Sequence, residues 1–264
     1  MNTKLIPFEV VAGDSTKHPD VIAALPLLSD ATELLLDCAA TGAIGVISGQ
    51  PGAGKSVTLQ RLAARYAGMS LPGTAFYYCC QANAGPTRGL KDLLAEMGIG
   101  GSLIANGHGT SMQLLLKLAL RDFVRKNIRC LLLDESDRWD SEAVTGILAL
   151  HDHLREKGHP ISLLFASMSD FPAWMSQHEA ARSRTLRVLK AERVTASQMI
   201  GLLRLWGDEF SGAVDDDVVH LIHERTGGDL RRLNFFARLH ARHFLGKPAC
   251  HHSVASTLKR LDEE

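Results

Sequence analysis

Residues 49–56 run Gly49-Gln50-Pro51-Gly52-Ala53-Gly54-Lys55-Ser56, three glycines closing on a lysine and a hydroxyl. The spacing fits G-x-x-x-x-G-K-[ST] without a mismatch, and its chemistry is the binding of a nucleotide's phosphates. Gly49, Gly52 and Gly54 let the backbone turn so that successive N–H groups point inward, and a helix N-terminus adds positive potential. Gln50, Pro51, Ala53 and Val57 complete the cradle. Lys55 is expected to reach the β- and γ-phosphates of ATP, and Ser56 to ligate Mg2+. A second constellation is Cys130-Leu131-Leu132-Leu133-Asp134-Glu135, an apolar strand ending in two carboxylates. Strand ends are where an open parallel sheet places its ligands. Asp134 is expected to hold Mg2+ through water, and Glu135, one residue on and aimed the other way, to polarise the water that attacks the γ-phosphate. The pair argues for hydrolysis.

The elements that must position these groups follow from periodicity. A buried strand is predicted over 44–48, then a helix from 55 to about 67, a strand over 75–80, a helix after Pro86 and a helix over 110–126. Next come a strand over 129–134, a helix over 141–156 and strands over 161–167 and 185–189. Apolar strands alternating with helices predict an α/β fold with a parallel sheet covered on both faces. Ahead of them, Ser29 or Asp30 is expected to cap a helix over 31–37, with Glu33 completing a capping box. After Val194 only helices are predicted: a first capped by Thr195, a second over 215–224, a third over 230–244 and a short fourth over 253–261. The expected organisation is a leader over 1–25, a nucleotide-binding domain over 26–194 and a helical lid over 195–264.

Composition bounds the function. The chain has 264 residues, 45% hydrophobic and 22% charged, as an ordinary globular protein does. Twenty-nine Lys and Arg balance twenty-nine Asp and Glu, so no global field draws the chain to nucleic acid or to an anionic membrane. No apolar run approaches the roughly 20 residues that span a bilayer, and the N-terminal residues lack a signal-peptide pattern. Five cysteines without CxxC spacing suit a reducing, cytoplasmic setting. His240-x-x-His243 and Cys250-His251-His252 read as a helix surface and an exposed tail before they read as a zinc site.

With these residues in place the chain resembles the AAA+ ATPases, over about 26–262. The resemblance implies a P-loop fold with five parallel strands sandwiched by helices and a small helical lid. In the lid, Gly227-Gly228-Asp229-Leu230-Arg231-Arg232-Leu233-Asn234 is similar to the motif whose first Arg senses the γ-phosphate, which implies Arg231. The end of the fourth strand implies a polar first sensor, Ser167 or Ser169. The resemblance also implies an arginine finger ahead of the last strand, sent into a neighbour's site, for which Arg182 and Arg184 are the candidates. Within AAA+, the chain looks most like the target-selection ATPases of DNA transposition, TnsC, TniB and the Mu B protein. The likeness lies in Leu132-Leu133-Asp134-Glu135-Ser136-Asp137-Arg138, in Arg182-Ser183-Arg184 and in Gly85-Pro86-Thr87-Arg88. It implies a homo-oligomer, ring or helical filament, on double-stranded DNA, with Arg88 and Thr110 on the phosphate backbone, a transposase as partner and no membrane.

Three other functions use the same loop. One is an ExeA-type ATPase of secretion or envelope assembly, another a replication or clamp-loader-type ATPase. The third is a P-loop kinase in which Asp134 and Glu135 bind a small acceptor.

Overall fold

The structure is a computed structural model and describes residues 25–82, 86–100, 111–168, 170–177, 179–206, 214–244 and 249–263. Three runs are apolar enough to be covered on both faces: β1 (Ile44–Gly49), β3 (Ile128–Asp134) and β4 (Ser162–Ser167). Every residue of β1 and β4 is buried, and β3 is interrupted only by the half-buried Arg129. Near-continuous hydrophobic runs mark central strands of a parallel sheet. The strands with more exposed patterns, β2 (Thr74–Cys79) and β5 (Thr185–Ala191), form its edges. The order is β2-β3-β4-β1-β5, and every pairing is parallel. All five C-terminal ends therefore lie along one side of the sheet. Register sets Cys79 beside Asp134, Ser48 beside Ser167 and Gly49 beside Ala191.

The helices are α1 (Pro26–Thr41), α2 (Lys55–Arg65), α3 (Pro86–Glu96), α4 (Met112–Arg125), α5 (Ser141–Glu156), α6 (Phe171–Gln177) and α7 (Glu179–Arg182). After β5 come α8 (Ala196–Trp206), α9 (Asp216–Thr226), α10 (Leu230–Phe244) and α11 (His251–Glu263). A hydrophobic core joins α3, α4 and α5 to the sheet through Leu90, Leu94, Phe123, Ile147, Leu131 and Phe165, all fully buried. Each such side chain contributes roughly 1.5–3 kcal/mol of transfer free energy. Helix α3 lies close on α5 because Gly89 has no side chain: a Cβ there would stand 3.1 Å from that of Ala143.

Contacts group the chain into two compact units. One comprises Ser29–Gly49 and Thr58–Ala191 and carries the sheet. The other comprises the described residues up to Leu28, the loop Gln50–Val57 and the chain from Glu192 onward. The phosphate loop thus groups with the C-terminal helices. Among the described residues no helix is long and apolar enough to cross a membrane.

Several local expectations are corrected. Helix α1 begins at Pro26, not after Asp30, because proline's fixed φ suits the first helical position. Asp30 and Glu33 therefore lie inside it and form no capping box. The two short helices α6 and α7 between β4 and β5 were not anticipated. The cap of α4 is Ser111, whose Oγ accepts from Leu114 N at 3.3 Å. His240 is not on a helix surface: it is buried, with Nε2 in a hydrogen bond to Ser253 Oγ at 3.2 Å. The capping box does occur at Thr195, whose Oγ1 accepts from Gln198 N while Gln198 Oε1 accepts from Thr195 N.

A Cβ on Gly49 would stand 2.0 Å from the carbonyl oxygen of Ala191, so Gly49→Ala must push β5 off β1. We expect it to lower stability in urea by about 2 kcal/mol or more. Gly68→Ala meets nothing within 4 Å and is expected to change stability by under about 0.5 kcal/mol.

Candidate nucleotide site

In the loop between β1 and α2, Gly52 and Gly54 adopt φ of +81° and +90°. Side chains other than glycine avoid these values, and a loop that uses them turns its amides inward. Lys55 opens α2, Ser56 follows it, and both are half-buried. Lys55 Nζ donates to Gln50 O at 3.0 Å, so the lysine spans its own loop. Ala53 is buried beneath the turn, with its N–H directed to Gln50 O at 3.4 Å. Left-handed glycines, a loop-spanning ammonium and a helix N-terminus make a donor set that fits the phosphates of a nucleotide.

The same unit supplies three further contacts to the loop. Leu230 N, at the start of α10, donates to Gly52 O at 2.9 Å. Asp229 caps α10, its Oδ1 accepting from Arg231 N at 2.8 Å and from Arg232 N at 3.3 Å. Its carboxylate also lies against Gly52, where a Cβ would stand 2.1 Å from it. Arg193 donates from Nε and Nη2 to Pro51 O, both at 3.3 Å, and pairs with Asp229 Oδ2 at 3.4 Å. Asp229 and Arg193 were missed as site residues. Asp229 carried a usable signal, a capping residue directly before an amphipathic run; Arg193 carried none, being 142 positions from Pro51 in sequence. The side chain of Arg231 is exposed at the first turn of α10.

On the sheet unit, the two carboxylates at the end of β3 have different surroundings. Asp134 is buried; Tyr77 Oη donates to its Oδ2 at 2.8 Å and Glu135 N to its Oδ1 at 2.9 Å. Burial first, then the Asp134 carboxylate, pushes the Tyr77 hydroxyl far above its ordinary value, so it remains a donor. Glu135 is partly exposed and left-handed, with φ 51° and ψ 38°. That conformation costs a non-glycine residue on the order of 1 kcal/mol and is most common where function requires it. Glu135 Oε2 accepts from Arg138 Nη2 at 2.9 Å and from Cys79 Sγ at 3.5 Å. The Cys79 thiol is pushed up to about 12, by burial first and then by Glu135 and Asp134, so it too is a neutral donor. Ser167 is buried at the end of β4 with Oγ donating to Met168 O at 3.1 Å. Ser136 Oγ donates to Ala166 O at 2.8 Å, and Asp137 Oδ1 accepts from Met168 N at 3.2 Å, which ties the ends of β3 and β4 together.

The arginines before β5 separate clearly. Arg184 forms a bidentate pair with Asp152, Nε to Oδ1 at 2.6 Å and Nη2 to Oδ2 at 2.7 Å, and also bonds Ala180 O. Arg182 is exposed and forms no ion pair among the described residues. Arg88 is exposed in the first turn of α3. Thr110 and Ser169 lie outside the described residues.

A family model described as "AAA domain" matches residues 39–175. No curated protein matches the chain. Among solved structures, Cdc6p of Pyrobaculum aerophilum is similar at 18% identity and TM-score 0.71, over 96% of this chain and 72% of that one. The ORC2 protein of Aeropyrum pernix, solved as ADPNP–ADP complexes, is similar at 17% identity and TM-score 0.68, over 93% and 69%. The ORC1 protein of Aeropyrum pernix, solved in complex with DNA, is similar at 20% identity and TM-score 0.62, over 92% of this chain and 65% of that one. At such identities the likeness is one of fold, and it is the fold of an AAA+ P-loop ATPase. With about half of its length matched by the family model, the chain belongs to the AAA domain family.

Proposed function

We propose that this chain is an ATP hydrolase that assembles on duplex DNA as a homo-oligomer and presents that DNA to a transposase, with hydrolysis controlling disassembly. The observation that carries the nucleotide part is the phosphate loop itself, with Gly52 and Gly54 left-handed and Lys55 at the head of α2. ATP supplies the phosphoryl bond that is broken. Lys55 and the amides of the loop would hold the phosphates, and Ser56 and Asp134 are the residues assigned to Mg2+. Tyr77 keeps Asp134 in one orientation. Glu135 orients a water and takes its proton. Ser167 and Arg231 sense the γ-phosphate, and an Arg182 guanidinium from a second copy neutralises developing charge.

The DNA part is supported by the exposed Arg88 and by the resemblance of residues 132–138 to the transposition ATPases. The structurally similar ORC1 protein, solved in complex with DNA, supports it as well. A chain of zero net charge can bind a duplex when each subunit of an assembly adds one or two phosphate contacts. A replication or clamp-loader-type ATPase is the second reading, favoured by the docking of Asp229 and Leu230 on the phosphate loop.

Sedimentation with duplex DNA, together with phosphate release, tests these roles. Lys55→Ala is expected to abolish ATP-dependent assembly. Glu135→Gln should still assemble, remain assembled, and hydrolyse ATP at least about 100-fold more slowly. Hydrolysis at the parent rate would remove Glu135 from its role. Arg182→Ala is expected to slow hydrolysis by the assembly about 1,000-fold while leaving stability unchanged. Arg184→Ala, which breaks the Asp152 pair, should instead lower stability by about 1 kcal/mol. Asp229→Ala removes the cap of α10 and should cost a similar amount.

A further inference from the structure

We propose that the exposed face of α4 docks an acidic α-helix of a partner protein, an inference that does not depend on the ATPase reading above. Helix α4 turns Leu115, Leu118, Ala119 and Phe123 into the core. Its other side is exposed through Gln113, Leu114, Lys117, Arg121, Val124 and Arg125. Their order is regular: Leu114, Lys117, Arg121 and Val124 follow one another at steps of three, four and three. That is the spacing with which one helix lays a stripe against another, here about 15 Å long. An apolar side chain stands at each end of the stripe, Leu114 at 40% exposed and Val124 at 53%. Lys117 and Arg121 lie between them, with Arg125 one turn beyond Arg121.

The charge on this face has one sign. The acidic residue of α4, Asp122, is buried, and two arginines share it, Arg125 Nη2 at 3.0 Å from Oδ1 and Arg121 Nη2 at 3.4 Å from Oδ2. Their side chains remain 68% and 67% exposed. With Lys117, three cations answer to one carboxylate, so the face is net positive although the whole chain is neutral. The same face of a second copy would set cation against cation, which disfavours a two-fold pairing through α4. A phosphate backbone would answer the cations but offers nothing apolar to Leu114 and Val124. A helix with carboxylates opposite Lys117, Arg121 and Arg125 and an apolar residue at each end answers both. Its apolar ends bury surface, and its carboxylates fix the register.

The test is fluorescence anisotropy with a labelled synthetic helical peptide that carries Leu at the two end positions and Glu at the positions between, beside a labelled random-sequence duplex. The parent chain is expected to bind the peptide, with affinity falling about tenfold or more from low to high salt. A peptide with Gln in place of each Glu should bind at least about tenfold more weakly. Lys117→Gln combined with Arg121→Gln should lose about as much; Arg125 is kept there so that Asp122 retains a partner. Leu114→Ala combined with Val124→Ala should weaken binding about fivefold. All four positions are exposed, so both variants should melt at the parent's temperature. A parent chain that does not bind the Glu peptide at low salt overturns the proposal. Equal affinity for the Glu and Gln peptides, or parent-like affinity in the Lys117→Gln, Arg121→Gln variant, overturns it as well. Loss of duplex binding in that variant, with no peptide bound by the parent, assigns the face to nucleic acid instead.

Discussion

The hydrogen bond from Leu230 N to Gly52 O, 2.9 Å long, fixes the backbone on which the proposed chemistry depends. A phosphate loop works by aiming amides inward, which leaves its carbonyls turned outward in need of donors. Here the donors come from the chain after β5: Leu230, at the start of α10, serves Gly52, and the Arg193 guanidinium serves Pro51. Asp229 links the two, pairing with Arg193 and capping the helix that Leu230 begins. The loop and the start of α10 therefore form one hydrogen-bonded body. A ligand that reshapes the loop must act on α10 through these same bonds, which gives nucleotide state a physical route to the helical unit.

The paired carboxylates show how position alone divides two like groups. Asp134 ends β3, is buried, and takes a donor from a tyrosine whose hydroxyl burial pushes well above its ordinary value. Such a fixed carboxylate suits the metal-holding role proposed for it. Glu135 lies one residue further, after the ladder has ended, in a strained left-handed conformation and partly exposed. Its partners are an exposed arginine and a neutral thiol. The turn from Ser136 to Asp137 that follows is anchored to the end of β4 by the Ser136 Oγ and Asp137 Oδ1 hydrogen bonds.

Much of this was legible in the sequence because the signals are local. Strands β1, β3 and β4 are apolar runs bounded by turns, and the helices 141–156 and 230–244 were expected with the bounds they have. The glycines of the loop declare a backbone that only glycine adopts. What could not be read is what depends on contacts distant in sequence. Arg182 and Arg184 look alike until Asp152, 32 positions from Arg184, takes both arms of its guanidinium. Arg193 carries no motif, and its partners lie 142 and 36 positions away. The start of α1 was placed at Ser29 or Asp30 by their capping side chains, whereas Pro26, whose fixed φ can begin a helix as well as end one, is its first residue. His240 belongs to a pattern of exposed histidines in sequence, yet α10 and α11 bury it against Ser253.

The claim at the centre is that nucleotide and duplex DNA together drive assembly of this chain. Negative-stain electron microscopy with a non-hydrolysable ATP analogue, with and without random-sequence duplex, tests it most directly. Rings or helical filaments that form only when both are present are the predicted result. Particles that stay monomeric with analogue and DNA together would contradict it.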